Sequence, residues 1–276
     1  MIELPEALIL ASQISQHLSG KTVISTTAAQ SPHKFAWYHG DPANYPAKLN
    51  GSRVLFARGL GMFVEITLSN CMLLFSDGAN LRLHPQAGPV PAKHQLLLGF
   101  EDGCSLSASV AMYGGVVCWA NSELYENSYY TTAQAKPSPL SEVFDETYIR
   151  ALLAPESARK LPLKAALATE QRIPGLANGC LQDILWEARL HPRRKVSALS
   201  DAELQQLYIS LKQTLREMTR AGGRSTEKDL FGQPGGYQVR LCAQNNGKPC
   251  PRCGSLIVKE AYLGGSIYTC PTCQQV

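Results

Sequence analysis

Four cysteines near the end of the chain, Cys250, Cys253, Cys270 and Cys273, fall in two C-x2-C pairs separated by sixteen residues. Each pair turns two thiolates toward one point, and two pairs at this distance can close a tetrahedron around one zinc ion. The intervening GSLIVKEAYLGGSIYT has the right length for a β-hairpin. Four sulfur ligands leave no position open for water, so the expected metal is structural, stabilising a finger too small to fold alone. The other five cysteines, Cys71, Cys104, Cys118, Cys180 and Cys242, stand among apolar or mixed neighbours. They read as small buried hydrophobes in a reducing compartment, with no disulfide framework. At the opposite end, MIELPE crowds two carboxylates, Glu3 and Glu6, around Pro5 and against the α-amino group.

The elements that must position these groups change character along the chain. Its 276 residues are 45% hydrophobic and 17% charged, the composition of a globular protein of one large or two medium domains. No window approaches the roughly 18 apolar residues of a membrane span, and no secretory signal is visible, so a cytoplasmic protein is expected. Residues up to 150 hold 9 basic and 12 acidic side chains and the remainder 17 and 10, so the halves carry about −3 and +7. A basic second half suits a polyanionic partner, nucleic acid first among them, although a solvated basic surface has the same count.

Leu8, Ile9, Ile14 and Leu18 share a helical face after Pro5, and Gly20 closes that helix. From Gly51 to Trp119 short β-rich runs alternate with Gly, Asn, Asp and Pro, the pattern of an antiparallel sandwich. TTAQAKPSPL, residues 131–140, reads as a linker. Residues 141–222 have helical periodicity; LSDAELQQLYISLKQTLREM is plainest, with Ser200 or Asp201 as N-cap. The expected class is α+β: a β-sandwich over residues 1–130, a helical unit over 141–222, and a glycine- and cysteine-rich zinc-finger region over 223–276.

Taken together, MIELPE, HLSGKTV at residues 17–23, LKAALATEQRIPGLANGCLQDILWEARLHP and the terminal CPTCQ resemble the formamidopyrimidine-DNA glycosylase and endonuclease VIII family. Lys164, Gly175, Asn178, Ile184, Leu185, His191 and Pro192 stand in register with its helix-two-turn-helix signature. The resemblance implies a monomer that grips duplex DNA with a damaged base or abasic site between its two halves, as a glycosylase with abasic-site lyase action. It implies that the N-terminal amine, of Met1 or of Ile2 if the methionine is removed, attacks the sugar C1′ as a Schiff-base nucleophile while Glu3 shuttles protons. An α-amine suits that task because its usual pKa of about 7.7–8.0 leaves a neutral fraction at physiological pH. Glu6 fits the simpler role of an acid in a helical first turn. The PGLANG amides and Asn178 would hold a phosphate, with Asn178 alternatively a plain N-cap, and Lys164 would add positive charge.

The sequence departs from the family pattern at Ile2, where the family has proline, at Leu60, where it has lysine, and at Gly265, where it has the finger arginine. A bulky second residue discourages removal of the initiator methionine. Met112 and Tyr113 of VAMYGG stand where the family fills the gap left by a flipped base; a buried sheet position is the competing reading for Met112. These departures imply an altered substrate range or, as the alternative, a lesion-binding module that grips DNA without base excision.

Overall fold

The computed structural model describes residues 1–275. Its first half runs α1 (Leu4–Leu18), β1 (Val23–Ala28), β2 (Ala36–Trp37), α2 (Tyr45–Leu49), β3 (Val54–Leu60), β4 (Phe63–Leu68), β5 (Cys71–Ser76), β6 (Ala79–His84), β7 (Leu96–Phe100), β8 (Ser105–Val110) and β9 (Gly114–Ala120). Two sheets, ordered β2-β9-β5-β4-β3 and β1-β7-β8-β6, face each other. All their pairings are antiparallel except β2 with β9. Between them lie Val64, Ile66, Leu73, Phe75, Leu98, Phe100, Leu106 and Val116, the inward members of alternating strands. The helix α1 buries Leu10, Ile14 and Leu18 on the same core. It crosses β3 so closely that a Cβ on Gly59 would stand 2.7 Å from the backbone of Ala7.

The second half contains α3 (Ser128–Ala135), α4 (Glu146–Leu153), α5 (Glu156–Arg159), α6 (Leu163–Ala168), α7 (Asn178–Glu187) and α8 (Asp201–Arg220). Leu163, Leu167, Leu181, Ile184, Leu207, Leu211 and Leu215 form its core. Ser200 is the N-cap of α8: its Oγ accepts from Glu203 N while Glu203 Oε2 accepts from Ser200 N, satisfying two helix-end donors at once. The chain ends in the hairpin β10 (Val258–Tyr262) and β11 (Gly265–Thr269). Among the described residues no helix is long and apolar enough to cross a membrane.

Two boundaries differ from the sequence reading. The stretch 131–140 begins inside α3, because Asn127 Oδ1 caps Tyr129 and Tyr130 and starts a helix there. Tyr130 and Ala133 then bury against Phe63 and Trp119, so only the prolines after Lys136 connect the halves loosely. The segment after Gly223 returns to the sandwich before it reaches the finger. Leu230 belongs to the sandwich core, Asp229 Oδ2 accepts from Gln13 of α1, and Arg82 of β6 donates to Asp229 O at 2.7 Å.

Candidate active site

The first four residues stitch the halves together. Ile2 packs into the sandwich core and its N–H donates to Asp77 O at 2.6 Å, whereas Leu4 packs into the helical core. Between them Glu3 is 1% exposed. Its Oε1 accepts from Gly179 N at 2.8 Å and Arg224 Nη1 at 3.0 Å, and its Oε2 from Ala177 N and Cys180 N, both at 3.0 Å. Four donors on two oxygens fill the carboxylate. Three of them are amides at the start of α7, those of the N-cap Ala177 and of Gly179 and Cys180 in the first turn, which Ala177 has no side chain to satisfy, so Glu3 caps this helix from 174 residues away. Burial would raise its pKa, but the charge of Arg224 and the amides of Cys180 and Ala177 outweigh that and hold it below the ordinary range.

Arg224 is the shared partner. Its Nε and Nη2 reach Glu6 Oε1 and Oε2 at 3.0 and 2.7 Å, and Nη2 also donates to Met1 O at 3.0 Å. The acids beside the N-terminus thus belong to an arginine 218 residues from Glu6 along the chain. Within PGLANG the Ala177 and Gly179 amides are occupied by Glu3 rather than open to a phosphate. Glu3 is not among the residues that line the neighbouring cavity.

That cavity, about 440 Å³, lies at the junction of the halves. The sandwich contributes Trp37, Phe63, Asp77 and Tyr113, the helical half Thr169, Glu170 and Gln171, and Met1 lines it as well. Trp37 and Tyr113 stack with centroids 6.1 Å apart and planes 17° from parallel. Burial pushes the Asp77 carboxyl up, opposed by the hydroxyl of Ser76 and by the positive N-terminus nearby. Glu170 and Gln171 hold φ of +56° and +46°, strained for residues with a Cβ. Gln171 is fixed there by accepting from Gly175 N and touching Met62 Sδ. The Met1 ammonium is ion-paired with Glu227, and Tyr113 Oη approaches Met1 Sδ at 3.8 Å.

Met112 is 67% exposed in the β8–β9 turn, which removes the buried-strand reading of that residue. Tyr113 follows it into the cavity wall. Lys164 and Asn178 point elsewhere than expected. Lys164 is buried and donates to Tyr262 O at 2.5 Å; Asn178 Nδ2 donates to Ser266 O at 2.9 Å. Both brace the zinc hairpin on either side of its Leu263–Gly264 turn, and Asn178 is the first residue of α7 rather than its N-cap. A Cβ on Gly265 would stand 3.5 Å from Lys164 Nζ, so this ammonium lies beneath the finger tip. Leu60, where the family has lysine, packs at the edge of the Phe63 and Trp119 cluster.

The thiols of Cys250, Cys253, Cys270 and Cys273 converge within 4.8 Å of one another. A tetrahedral zinc with Zn–S bonds of about 2.3 Å sets ligand sulfurs about 3.8 Å apart. The Cys250–Cys273 and Cys253–Cys270 separations of 3.9 and 3.3 Å bracket that value. The four soft donors fit one zinc ion whose coordination they complete, so it supplies structure, not chemistry.

Two family models match the chain: the formamidopyrimidine-DNA glycosylase H2TH domain over residues 136–229 and the zinc finger found in FPG and IleRS over 247–276. The formamidopyrimidine-DNA glycosylase of Pelotomaculum thermopropionicum is 33% identical over 192 residues, 67% of each chain. The chain belongs to the formamidopyrimidine-DNA glycosylase family. Its similarity to the family's Acidothermus cellulolyticus member is 27% identity over 100% of this chain and 98% of that one. MutM (Fpg) from Thermus thermophilus is 25% identical with a TM-score of 0.81, covering 99% of this chain and 98% of that one. The Lactococcus lactis Fpg solved with abasic-site DNA has 23% identity and a TM-score of 0.84 over 99% of this chain and 100% of its own, and so has the same fold. Within the formamidopyrimidine-DNA glycosylase frame, the residues that pattern reading missed are Arg224, Glu227, Asp77 and Trp37. RSTEKDLFG held the only forewarning, a charge-rich run too irregular to assign to an element.

Proposed function

We propose that this chain is a DNA-repair glycosylase with abasic-site lyase action on duplex DNA carrying a damaged base or abasic site, working through its N-terminal amine. The observation that carries the reading is the place of the terminal residue. Met1 lines a cavity between the sandwich and the basic helical half, beside stacked aromatic rings on which an extruded nucleotide can rest. The strained Glu170–Gln171 pair at the same place supports a site rather than a packing gap. The exposed Met112 would enter the stack a flipped base leaves, Tyr113 would face the extruded nucleotide, and Lys164 would add its charge beneath the finger tip. The protein acts as a monomer associated with the nucleoid.

The test is strand cleavage of duplexes carrying one abasic site, one oxidised purine or one oxidised pyrimidine, with base release followed separately. Cleavage at the abasic site and release of at least one base are expected; a protein that binds all three duplexes and cuts none excludes the enzyme reading. That second reading, a lesion-binding module, is favoured by Leu60 and Gly265, neither of which offers a phosphate a side-chain donor. Met112→Ala separates binding from folding. It should weaken affinity for the abasic duplex about 5- to 10-fold, in line with roughly 1 kcal/mol for an apolar contact in the stack, without moving the melting temperature.

A further inference from the structure

The cavity at the junction of the halves has the wrong charge for a surface that only has to hold a polyanion. Trp37, Phe63, Tyr113, Tyr125 and Tyr129 put five rings on its wall, and Asp77 and Glu170 put two carboxylates there. Among the described residues no lysine, arginine or histidine lines it. The chain after residue 150 has the opposite balance, with 17 basic and 10 acidic side chains.

The charges close by leave one of these acids without a counterion in contact. The Met1 ammonium is ion-paired with Glu227, and Glu170 Oε2 accepts from Arg172 Nη2 at 2.9 Å. Asp77 has the hydroxyl of Ser76, 2.8 Å from its Oδ2, and no cation within salt-bridge distance among the described residues. Its backbone is fixed at the cavity wall, with φ of +56° and a carbonyl that accepts from Ile2 N at 2.6 Å.

The neutral polar groups that could read the edge of an uncharged base are largely committed within the protein. Asn127 Oδ1 caps α3 through Tyr129 N and Tyr130 N, and Thr169 Oγ1 donates to Ala165 O at 2.6 Å. Gln171 is held by Gly175 N and Met62 Sδ. What remains open to a guest is π faces and negative charge. A carboxylate in a DNA cleft repels phosphates and does little for an uncharged ring. A flat ring with a positive charge gains twice, because aromatic faces attract cations and a carboxylate attracts them further in a desolvated pocket.

We propose that the cavity selects purines alkylated at a ring nitrogen, which carry a fixed positive charge, over uncharged bases of the same shape. Asp77 reads the charge, and Trp37 and Tyr113 supply the facing rings. The proposal rests on the base-excision reading above and adds to it the class of base. The cavity volume of about 440 Å³ is that of a small-molecule site.

The full-length protein is titrated with two duplexes that differ only in charge. One carries 7-methylguanine and the other its uncharged isostere 7-methyl-7-deazaguanine, each on a 2′-fluoro sugar that keeps the glycosidic bond intact. A mildly acidic buffer preserves the charge of the methylated ring. The cationic duplex should bind about tenfold tighter. Asp77→Asn should bring that ratio to within about threefold, and Trp37→Leu should lower it as well. Asparagine tolerates the left-handed backbone of residue 77 as aspartate does, so the substitution tests charge rather than folding. Equal affinities for the two duplexes, or a ratio that Asp77→Asn leaves unchanged, overturn the proposal. Because neither duplex can lose its base, the ratio is read independently of catalysis, and cleavage of a plain abasic duplex reports on the enzyme reading. Cleavage with a ratio near one removes only the charge selection. A tenfold ratio without cleavage upholds the charge selection and removes the enzyme reading.

Discussion

Arg224 Nη1 meets Glu3 Oε1 at 3.0 Å, although the two residues are 221 positions apart and their side chains are only 3% and 1% exposed. The pair joins the first turn of the chain to the segment after α8, and through Glu3 to the start of α7. Burying these charges is unfavourable by itself. They persist because each is saturated: Arg224 also holds Glu6 and Met1 O, and Glu3 also holds three amides. The site geometry therefore depends on a charge network more than on apolar packing.

Arg224→Met should be among the most destabilising single changes in the chain. It keeps the volume and removes the cation, leaving Glu3 and Glu6 buried together. Breaking a buried pair in this way costs about 3–5 kcal/mol. At roughly 2–4 °C per kcal/mol for a protein of this size, the melting temperature should fall on the order of 10 °C. Calorimetry checks it; a fall of under about 3 °C would show that the backbone amides suffice for Glu3.

Acid should act through the same residue. The folded-state pKa of Glu3 lies below its ordinary value of 4.5. A carboxyl lowered by folding contributes stability above its unfolded pKa and loses it as pH falls through the folded one. Urea midpoints should therefore drop as pH is lowered from about 4.5. Glu3→Gln should be less stable at neutral pH and flatter across that acid window. Parallel curves for the two proteins would assign the acid response to other carboxyls.

Gly179→Ala sets two effects against each other. In a helix interior, alanine is favoured over glycine by about 1 kcal/mol. Here the added Cβ would stand 1.7 Å from Arg224 Nη1 and 2.5 Å from Glu3 Oε1, inside both atoms' contact distance. The clash must displace the ion pair, so the network term outweighs propensity, and a net loss of about 2–4 kcal/mol is expected. Equilibrium unfolding decides the sign, and a stabilised variant would mean that the clamp moves aside freely.

The sandwich, the helical half and the finger could be read from the sequence because each follows a local period: alternation in the strands, Leu207, Leu211 and Leu215 in α8, and the C-x2-C pairs. The shared position of Glu3 in MIELPE was legible through resemblance, yet its hydrogen-bond partners were not. A carboxylate beside an amine in sequence reads as that amine's partner, whereas the fold turns it 174 residues away to α7 and brings Glu227 to the amine instead. Such contacts leave no periodic trace. The same limit applies to Lys164 and Asn178, whose spacing in the helical signature gave no sign that the hairpin carbonyls of Tyr262 and Ser266 would take their donors.

Zinc removal should uncouple the finger without unfolding the rest. The finger's own buried cluster is small, comprising Cys250, Ile257, Tyr268 and Cys270 packed against Trp186 and Leu241, while the sandwich and helical cores contain none of the four thiols. Losing the metal removes the constraint that folds the hairpin. Lys164 and Asn178 then lose the carbonyls they brace, leaving a buried ammonium unpaired, so the local loss extends to the ends of α6 and α7. Trp186 reports it: its indole N–H donates to Cys250 Sγ at 3.4 Å and its ring lies 3.9 Å under the Arg252 guanidinium. A strong chelator should change tryptophan emission and abolish tight binding to an abasic duplex, while the main melting transition shifts by only a few degrees. Restoration by added zinc, with Trp186→Phe silencing the optical change, would complete the assignment; a single cooperative collapse on chelation would instead show that the helical core depends on the finger.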